Sequence, residues 1–393
     1  MSLRIEVLTS LYPSPVCPVE GVFAERRWLG MLARGHAVRV TQPVPLSSRW
    51  LPRARWRELA RIPAREVRGG IEVERPRYLH LPGRTRANAA AFSRAGLRAI
   101  AHRPRPDVVV LDYAWPAAAA VPALRELRLA CVISGRGSDV LEVAGEAHLT
   151  DELAFSLRSA GHWCAVSEDL LARMDLLGGK VGQGVLVPNG IDLELFRPRP
   201  RTEARAALGL SSGGRLVLVC GHLIERKDPL LALEVFARAT QRDDRLVYLG
   251  RGPLEAELSA AVVARSLTER VELRGEVPPE RLATWYAACD VLLLTSRREG
   301  RPNVVLEALA SGRPVLATDA GGTAEVLGEL APSMLARTRD PATLARQLAA
   351  LLAAGSEAAS LRAAVAHLTW ERSAEALERC LEAACAENAG AVR

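Results

Sequence analysis

Residues 291–318 read VLLLTSRREGRPNVVLEALASGRPVLAT and predict a strand, a loop, a helix and a second strand. The apolar runs at the two ends have the length of buried strands. Pro302 fits the first position of the helix, where its missing amide hydrogen removes no bond. Glu299 and Gly300 then fall in the loop beyond the carboxyl end of the first strand, where open α/β sheets bind ligands. The stretch therefore predicts an α/β sheet with a ligand site at one edge.

The start of this helix is a predicted anion site. The amides of Asn303, Val304 and Val305 lie in the first turn, where N–H groups lack intrahelical partners and carry partial positive charge. Such a terminus suits a diphosphate without any metal. Glu299 before the helix and Glu307 on it approach the same ligand, and carboxylates accept hydrogen bonds from the hydroxyl pairs of sugars and riboses. The alternative is that both glutamates pair with surface arginines.

Short apolar runs alternate with longer segments of helical period along the whole chain, which is typical of parallel sheets built from βαβ units. Ten strands are predicted in two sets, at residues 5–9, 37–41, 108–112, 130–134 and 162–166, and at residues 215–220, 246–249, 271–273, 291–295 and 314–318. Asn189 and Gly190 favour a turn between the sets. A chain of 393 residues therefore predicts two Rossmann-like domains, 1–187 and 188–368, followed by a helical segment, 369–393.

Composition narrows the class of protein. Hydrophobic residues make up 49% of the chain and charged residues 25%, as in globular proteins with a sizeable core. The sequence predicts no membrane-spanning helix and no signal peptide. Seven cysteines without a C-x-x-C pair predict reduced thiols in a cytoplasmic protein. The net charge of +7 comes without a zinc pattern or an aromatic RNA-binding motif, which argues against a nucleic-acid partner.

Arginine and tryptophan are concentrated in residues 49–68, RWLPRARWRELARIPAREVR. Indole favours the lipid headgroup region and guanidinium binds phosphate. This basic stretch therefore predicts peripheral contact with an anionic membrane, at its inner face for a cytoplasmic protein. The alternative is a solvated surface loop.

Glu299 and Glu307, separated by seven residues, resemble the E-x7-E signature of family-4 retaining glycosyltransferases, which have the GT-B fold. The rest of the second half is similar to this family as well. Residues 221–227 (GHLIERK) resemble its phosphate-binding loop, 249–254 (LGRGPL) the following glycine turn, and 273–277 (LRGEV) the segment against the nucleotide base.

Residues 188–192 (PNGID) likewise resemble the family's hinge. The first half resembles the same family more loosely. Residues 12–23 are similar to its N-terminal glycine loop, and 137–140 (GSDV) to its central loop. The final helices around 370–372 resemble those that cross back onto the N-terminal domain in this fold.

The resemblance implies two Rossmann-like domains whose parallel sheets face each other across a cleft, with the acceptor in the first domain and a nucleotide sugar in the second. It implies that Glu299 contacts the hydroxyls of the donor sugar, and Glu307 the nucleotide ribose. Lys227, helped by Arg226, would hold the diphosphate, which gains negative charge as the glycosidic bond breaks. For this cation pair, a solvated loop is the alternative. The other implied donor-site positions are Gly300, Asn303, Val304, Val305, Gly252, Val277, Gly21 and Asp139.

The implied reaction is metal-independent transfer of a hexosyl group from a UDP- or GDP-sugar to an acceptor hydroxyl, with retention at the anomeric carbon. The implied acceptor is a glycan, a lipid-linked intermediate or a small molecule in polysaccharide, glycolipid or other glycoconjugate biosynthesis.

Two positions depart from the family's pattern. Gly221 is followed by His222 where many members have arginine, so one cationic contact is lost or passes to Arg226. Arg136 stands in the central loop where the family more often has histidine beside the reacting sugar, and we expect it to bind a sugar oxygen or a phosphate. Asp139 in the same loop also fits the cap of a helix.

Other classes of protein share this type of fold. A nicotinamide-dependent oxidoreductase is disfavoured, because the turn after the first strand lacks G-x-G-x-x-G. A nucleotide-sugar epimerase and a non-catalytic nucleotide-sugar-binding protein remain alternatives, the second because of Arg136 and His222.

Overall fold

The computed structural model describes residues 2–47, 54–143, 146–355 and 357–390. The chain divides into an N-terminal unit, formed by Met1–Gly190 and Trp370–Arg393, and a C-terminal unit, formed by Ile191–Thr369. Each unit contains a mainly or wholly parallel sheet with helices packed against it. The predicted α/β fold class is confirmed.

The N-terminal unit has an eight-stranded sheet in the order β10-β9-β8-β7-β1-β2-β5-β4, and a separate pair, β3 and β6. All its pairings are parallel except β4 with β5. The strands are β1 Arg4–Thr9, β2 Ala37–Thr41, β3 Val44–Pro45, β4 Arg65–Arg68, β5 Ile71–Glu74, β6 Arg77–Tyr78, β7 Val108–Asp112, β8 Ala130–Gly135, β9 Trp163–Ala165 and β10 Val185–Leu186. The helices before residue 190 are α1 Val22–Ala33, α2 Ala54–Leu59, α3 Thr85–Ala101, α4 Ala114–Ala117, α5 Val121–Glu126, α6 Ser138–Leu141, α7 Ala147–Ala160 and α8 Glu168–Gly178.

Both faces of this sheet are buried, which explains why its central strands are continuous apolar runs. In β7, Val109 and Leu111 join one core cluster, while Val108 and Val110 join the cluster on the opposite face. Neighbouring strands align in register, with Val7 of β1 opposite Val110. The period of two along a strand therefore divides a uniformly apolar sequence between two cores.

The C-terminal unit has a six-stranded, wholly parallel sheet in the order β13-β12-β11-β14-β15-β16. The strands are β11 Leu216–Cys220, β12 Arg245–Leu249, β13 Val271–Gly275, β14 Val291–Leu294, β15 Val315–Thr318 and β16 Leu335–Ala336. The helices are α9 Arg201–Ala207, α10 Pro229–Ala239, α11 Glu255–Ala264, α12 Pro279–Ala288, α13 Asn303–Ala310, α14 Gly322–Leu330, α15 Pro341–Ala354 and α16 Ala358–Val365. Although β12 and β13 intervene in the chain, β11 pairs with β14, so the loops that follow these two strands are neighbours.

The last helix, α17 Trp370–Gly390, belongs to the N-terminal unit. Its buried residues Leu377, Cys380, Leu381 and Ala384 recur at helical spacing and join the core cluster of Val108 and Val110. The helical segment predicted at the end of the chain thus covers one face of this sheet.

The ten predicted strands all form, and six other strands among the described residues were missed. The missed strands include β4 and β5, which make the antiparallel edge of the first sheet, and the two-residue strands β3, β6, β10 and β16. In β4 the residues alternate between exposed and half-buried, so their sequence carries no apolar run. Edge and two-residue strands are defined by their partners rather than by hydrophobicity.

Within the described residues no single helix has the length and apolarity to span a membrane, and one bent pair, α15 with α16, meets both requirements only when the two helices are taken together.

Candidate functional site

The loop after β14 carries Glu299 and Gly300 beyond the carboxyl end of that strand, and both residues are buried. Ser296 begins this turn, and its Oγ lies 2.5 Å from Oε1 of Glu299. Thr318 at the end of β15 donates its Oγ1 proton to the carbonyl oxygen of Ser296 at 2.6 Å. The glutamate is therefore oriented by side chains from two neighbouring strand ends.

Helix α13 begins one residue later than predicted. Pro302 occupies the N-cap, with φ −78° and ψ 99°, and Asn303 is the first helical residue. Extended backbone at the residue before the helix is the usual cap conformation. The amide of Val305 donates to the carbonyl oxygen of Pro302 at 3.1 Å, so it is already used within the turn. One of the three amides predicted to bind an anion is therefore already bonded within the turn.

Lys227 and Arg226 lie in a short 3-10 helix, Glu225–Lys227, in the loop that follows β11. The Nζ atom of Lys227 lies 2.5 Å from Oε1 of Glu299. The Nη1 atom of Arg226 lies 3.7 Å from the other oxygen, Oε2, and donates to the carbonyl oxygen of Arg298 at 3.1 Å. Two cations predicted from one motif and a carboxylate predicted from another therefore form one cluster, although Lys227 and Glu299 are 72 residues apart in sequence.

Glycines bring the loops after β11 and β12 into backbone contact. Gly250 has φ +145°, and a Cβ atom there would lie 2.0 Å from the carbonyl oxygen of Gly221. A Cβ atom on Gly252 would lie 2.3 Å from the carbonyl oxygen of Leu223. The amide of Leu223 donates to the carbonyl oxygen of Arg251 at 2.9 Å, which joins the two loops. Gly252 therefore serves the packing of the loop that leads to Lys227.

Glu307 lies in the middle of α13 and is 7% exposed. The hydroxyl of Tyr286, on α12, donates to its Oε2 at 3.0 Å. Burial raises the pKa of Tyr286 well above its ordinary value, so this hydroxyl stays a neutral donor. Sequence reasoning missed Tyr286, since nothing in its local pattern distinguishes it from a core aromatic residue. Val277, predicted to lie near the base, follows β13 and packs against the core cluster of this unit.

The remaining predicted residues belong to the N-terminal unit. Gly21 caps α1 with φ +79°, and a Cβ atom there would lie 2.8 Å from the Cα atom of Tyr12. Only glycine fits this close approach without strain.

Arg136 and Asp139 flank the start of α6. Gly137 occupies the N-cap of that helix, so the alternative that Asp139 is a cap is wrong. Its carboxylate instead accepts from the amides of Ala114 at 2.5 Å and Gly137 at 2.6 Å, and from that of Arg136. It thereby joins the loops after β7 and β8. Burial raises the pKa of Asp139 to about 7, although these three donors favour the carboxylate.

The guanidinium of Arg136 makes a forked contact with Asp112, Nε to Oδ1 at 2.8 Å and Nη2 to Oδ2 at 3.0 Å, and Nη1 donates to Oδ1 of Asn189 at 2.9 Å. Burial opposes the charge of Asp112, but Arg136 and Arg27 outweigh it and hold its pKa at about 2. Burial and the nearby Arg136 lower the pKa of Arg27 to about 9. Sequence reasoning missed Asp112 and Arg27. The available signal was a polar residue ending the buried run 108–112.

The structure thus groups the predicted residues into two clusters. Lys227, Arg226 and Glu299 meet in the C-terminal unit, beside the start of the helix that carries Glu307. Arg136 and Asp139 lie together in the N-terminal unit with Gly21 in a separate loop. Among the described residues no group of three or more His, Cys, Asp and Glu side chains could hold a metal ion.

Family models match both units. Residues 29–195 match the model described as Glycosyltransferase Family 4, and residues 214–354 match that described as Glycosyl transferases group 1. TuaC of Bacillus subtilis (strain 168), a glycosyltransferase whose name assigns it to teichuronic acid biosynthesis, is 30% identical over 83% of this chain and 84% of its own. The chain belongs to glycosyltransferase family 4. The predicted glycosyltransferase class is confirmed.

Further similarities agree with this family-4 assignment. A D-inositol 3-phosphate glycosyltransferase of Xylanimonas cellulosilytica is 31% identical over 76% of each chain. The crystal structure of Anabaena Alr3699/HepE in complex with UDP and glucose superposes with a TM-score of 0.73 at 17% identity, over 97% of this chain and 100% of that one. At this identity the likeness concerns the fold alone. The family-4 glycosyltransferase has the GT-B fold.

Proposed function

We propose that this family-4 glycosyltransferase moves a hexosyl group from a nucleoside-diphosphate sugar to an acceptor hydroxyl, with retention at the anomeric carbon. The observation that carries the proposal is the contact between Lys227 and Glu299, 2.5 Å apart beside the start of α13. A cation suits a diphosphate, and a carboxylate accepts hydrogen bonds from sugar hydroxyls. A donor that joins these two chemical groups matches both side chains at once.

Each residue then has a defined task in the reaction. Glu299 binds the hydroxyls of the donor sugar, and Glu307 binds the ribose. When the bond between the anomeric carbon and the diphosphate breaks, its electron pair stays on the phosphate oxygen. Lys227 and Arg226, with the amides at the start of α13, stabilise that charge, which is larger in the transition state than in the bound donor.

The acceptor oxygen forms the new bond on the face from which the diphosphate departs, and its proton passes to the departing phosphate oxygen. No carboxylate nucleophile is assigned in this scheme. The donor has a uracil or guanine base. The UDP and glucose bound by HepE, a protein of the same fold, support a UDP-sugar as the first probe.

The test has two stages. A thermal-shift screen of UDP-, GDP- and ADP-sugars should show a raised melting temperature for the donor, because a ligand that binds the folded state stabilises it. NMR of the product then reports the anomer. An inverted linkage contradicts retention, and consumption of the donor without transfer to any acceptor favours an epimerase. Donor binding without consumption favours a non-catalytic binding protein.

We propose that the reaction needs no metal ion, because Lys227 and Arg226 supply the positive charge. The same transfer assay in EDTA should give the rate measured in Mg²⁺. A loss of rate in EDTA that added Mg²⁺ restores contradicts this part of the proposal.

We further propose that the acceptor is a lipid-linked or cell-surface glycan intermediate, met by peripheral contact with the inner face of an anionic membrane. Part of the basic stretch, residues 49–53, lies outside the described residues. Of the rest, Arg57, Arg61 and Arg65 are exposed, although Arg65 also pairs with Glu74 at 3.1 Å. Arg68 is half-buried and bonds to Glu25. Arginine binds lipid phosphate through forked contacts.

Apolar side chains accompany these arginines. Leu46 and Leu79 are 61% and 63% exposed, next to the pair formed by β3 and β6, and Leu81 is 44% exposed. The nearby α2 lies against the same pair, since the ring of Trp56 is 5.8 Å from that of His80. Exposed leucines beside arginines fit a bilayer surface that is apolar below charged headgroups.

Flotation with vesicles of phosphatidylcholine and phosphatidylglycerol tests this contact. The protein should float with the vesicles at low salt, and less at high salt. Leu79→Ser should reduce flotation. The matched control Leu176→Ser, at a leucine 76% exposed on α8, should not. A protein that stays with the soluble fraction at low salt contradicts the membrane contact.

A further inference from the structure

Arg339 lies between β16 and α15, outside every motif that the sequence singles out. Its Nη1 atom donates to the carbonyl oxygens of Thr295 at 2.9 Å and Ser296 at 2.8 Å. Its Nη2 atom lies 2.6 Å from Oδ2 of Asp228. One guanidinium therefore joins two other loops, the one after β14 and the one before α10.

Each of those loops carries one member of the ion pair in the proposed donor site. Asp228 directly follows Lys227 in the chain. Ser296 shares Oε1 of Glu299 with Lys227, since its Oγ lies 2.5 Å from that oxygen. Arg339 thus contacts Asp228, which is next to Lys227 in the chain, and Ser296, which bonds to Glu299.

The backbone conformation of Asp228 is held by bonds from several residues, including Arg339. It has φ 48° and ψ 62°, a left-handed conformation that is uncommon for a residue other than glycine. Its Oδ1 accepts from the amide of Leu231, its carbonyl oxygen accepts from Oγ1 of Thr295, and its Oδ2 also accepts from Nη2 of Arg297 at 2.9 Å. Such conformations persist when the surroundings determine them from several sides. This bend lies between Lys227 and the start of α10, so it fixes the loop that carries Lys227 relative to that helix.

We infer that Arg339 is a positioning residue of the donor site, which fixes Lys227 relative to Glu299 and so sets where the diphosphate is held. This inference rests on the proposed function. A guanidinium suits the task because its planar fork reaches two carbonyl oxygens and a carboxylate together, whereas an ammonium makes a point contact.

A double-mutant cycle separates positioning from general stability. Isothermal titration with UDP, GDP and ADP measures affinity in the wild type, Arg339→Ala, Lys227→Ala and the double variant, and requires no acceptor. Loss of charge-assisted contacts should weaken binding of the preferred nucleotide about tenfold in Arg339→Ala. In the Lys227→Ala background the same change should have an effect below about twofold, because Arg339 acts through Lys227. An equal loss in both backgrounds overturns the inference.

Two further variants keep the test decisive. Arg339→Lys retains the charge but not the fork, so binding should be about threefold weaker than in the wild type. If Arg339→Ala shows no cooperative melting transition, the cycle is run with Arg339→Lys. Arg238→Ala removes an arginine that pairs with Glu234 on the surface of α10 and should bind as the wild type does. A wild-type protein that binds none of the three nucleotides contradicts the proposed function itself, whereas one that binds with additive losses contradicts only the role of Arg339.

Discussion

Replacing Glu299 by glutamine should tighten the binding of a free nucleoside diphosphate while it slows sugar transfer. The substitution keeps the shape of the side chain and an oxygen for Ser296, but it removes the charge. That charge lies 2.5 Å from Nζ of Lys227 and 3.7 Å from Nη1 of Arg226. A diphosphate that binds these cations must therefore compete with Glu299.

The size of the effect follows from the burial of the pair. The side chains of Lys227 and Glu299 are 19% and 6% exposed, so water screens their contact only in part. A hydrogen bond to a charged group contributes about 1.5–3 kcal/mol. Lys227 has three protons and can contact Glu299 and the diphosphate together. We therefore expect the substitution to remove about 1–2 kcal/mol from the free-energy cost of this competition. UDP or GDP should then bind about 5- to 30-fold more tightly.

Transfer should change in the opposite direction. The donor sugar loses a charged acceptor for its hydroxyls, and one charged contact made in the transition state is worth about a hundredfold in kcat/KM. Free UDP and GDP lack the hexosyl group that is transferred, so their affinity isolates the charge effect from the loss of contacts to the hydroxyls of that group.

The assays are isothermal titration with UDP and GDP, and product formation followed by NMR. Glu307→Gln should weaken nucleotide binding, because Glu307 is proposed to bind the ribose. Glu234→Gln, at a surface glutamate paired with Arg238, should change neither quantity. Weaker UDP and GDP binding by Glu299→Gln, or transfer near the wild-type rate, would refute the reasoning.

Three other changes have predictable effects on stability, each measured by urea denaturation. Gly250→Ala should lower the free energy of unfolding by at least about 2 kcal/mol, because its Cβ atom would lie 2.0 Å from the Gly221 carbonyl oxygen. The control Gly213→Ala should have little effect, because its Cβ atom would lie 3.8 Å from Oγ of Ser211. Asp112→Asn should cost about 3 kcal/mol at pH 7, because the buried Arg136 loses its partner. The pKa of Asp112 is about 2 in the folded protein, below the ordinary 3.8 of an aspartate, so its charged form contributes about 2 kcal/mol above pH 4 and this contribution is lost as the pH falls through 2. The difference between wild type and variant should therefore shrink by about that amount in acid. Leu381→Ala on α17 should cost about 2–5 kcal/mol, because Leu381 is fully buried; a smaller loss would mean that this helix does not stabilise the sheet it covers.

The sequence alone determined the repeated alternation of strands and helices, since apolar runs and helical periods are local properties. It also determined the separate loops that carry Glu299 and Lys227, because each lies directly after a recognisable buried strand. It gave no indication of the short strands β3, β6, β10 and β16, whose existence depends on their partners.

Only the tertiary structure decided which of these residues meet. Lys227 contacts Glu299 because β11 and β14 are neighbours in the sheet, although two strands separate them in the chain. In the same way, Arg136 bonds to Asp112 because β7 and β8 are neighbours and end side by side. Arg339 joins the two loops of the proposed donor site from a third one. Hydrophobic periodicity specifies that a strand forms, whereas strand order, which brings distant loops together, is set by the packing of the whole unit.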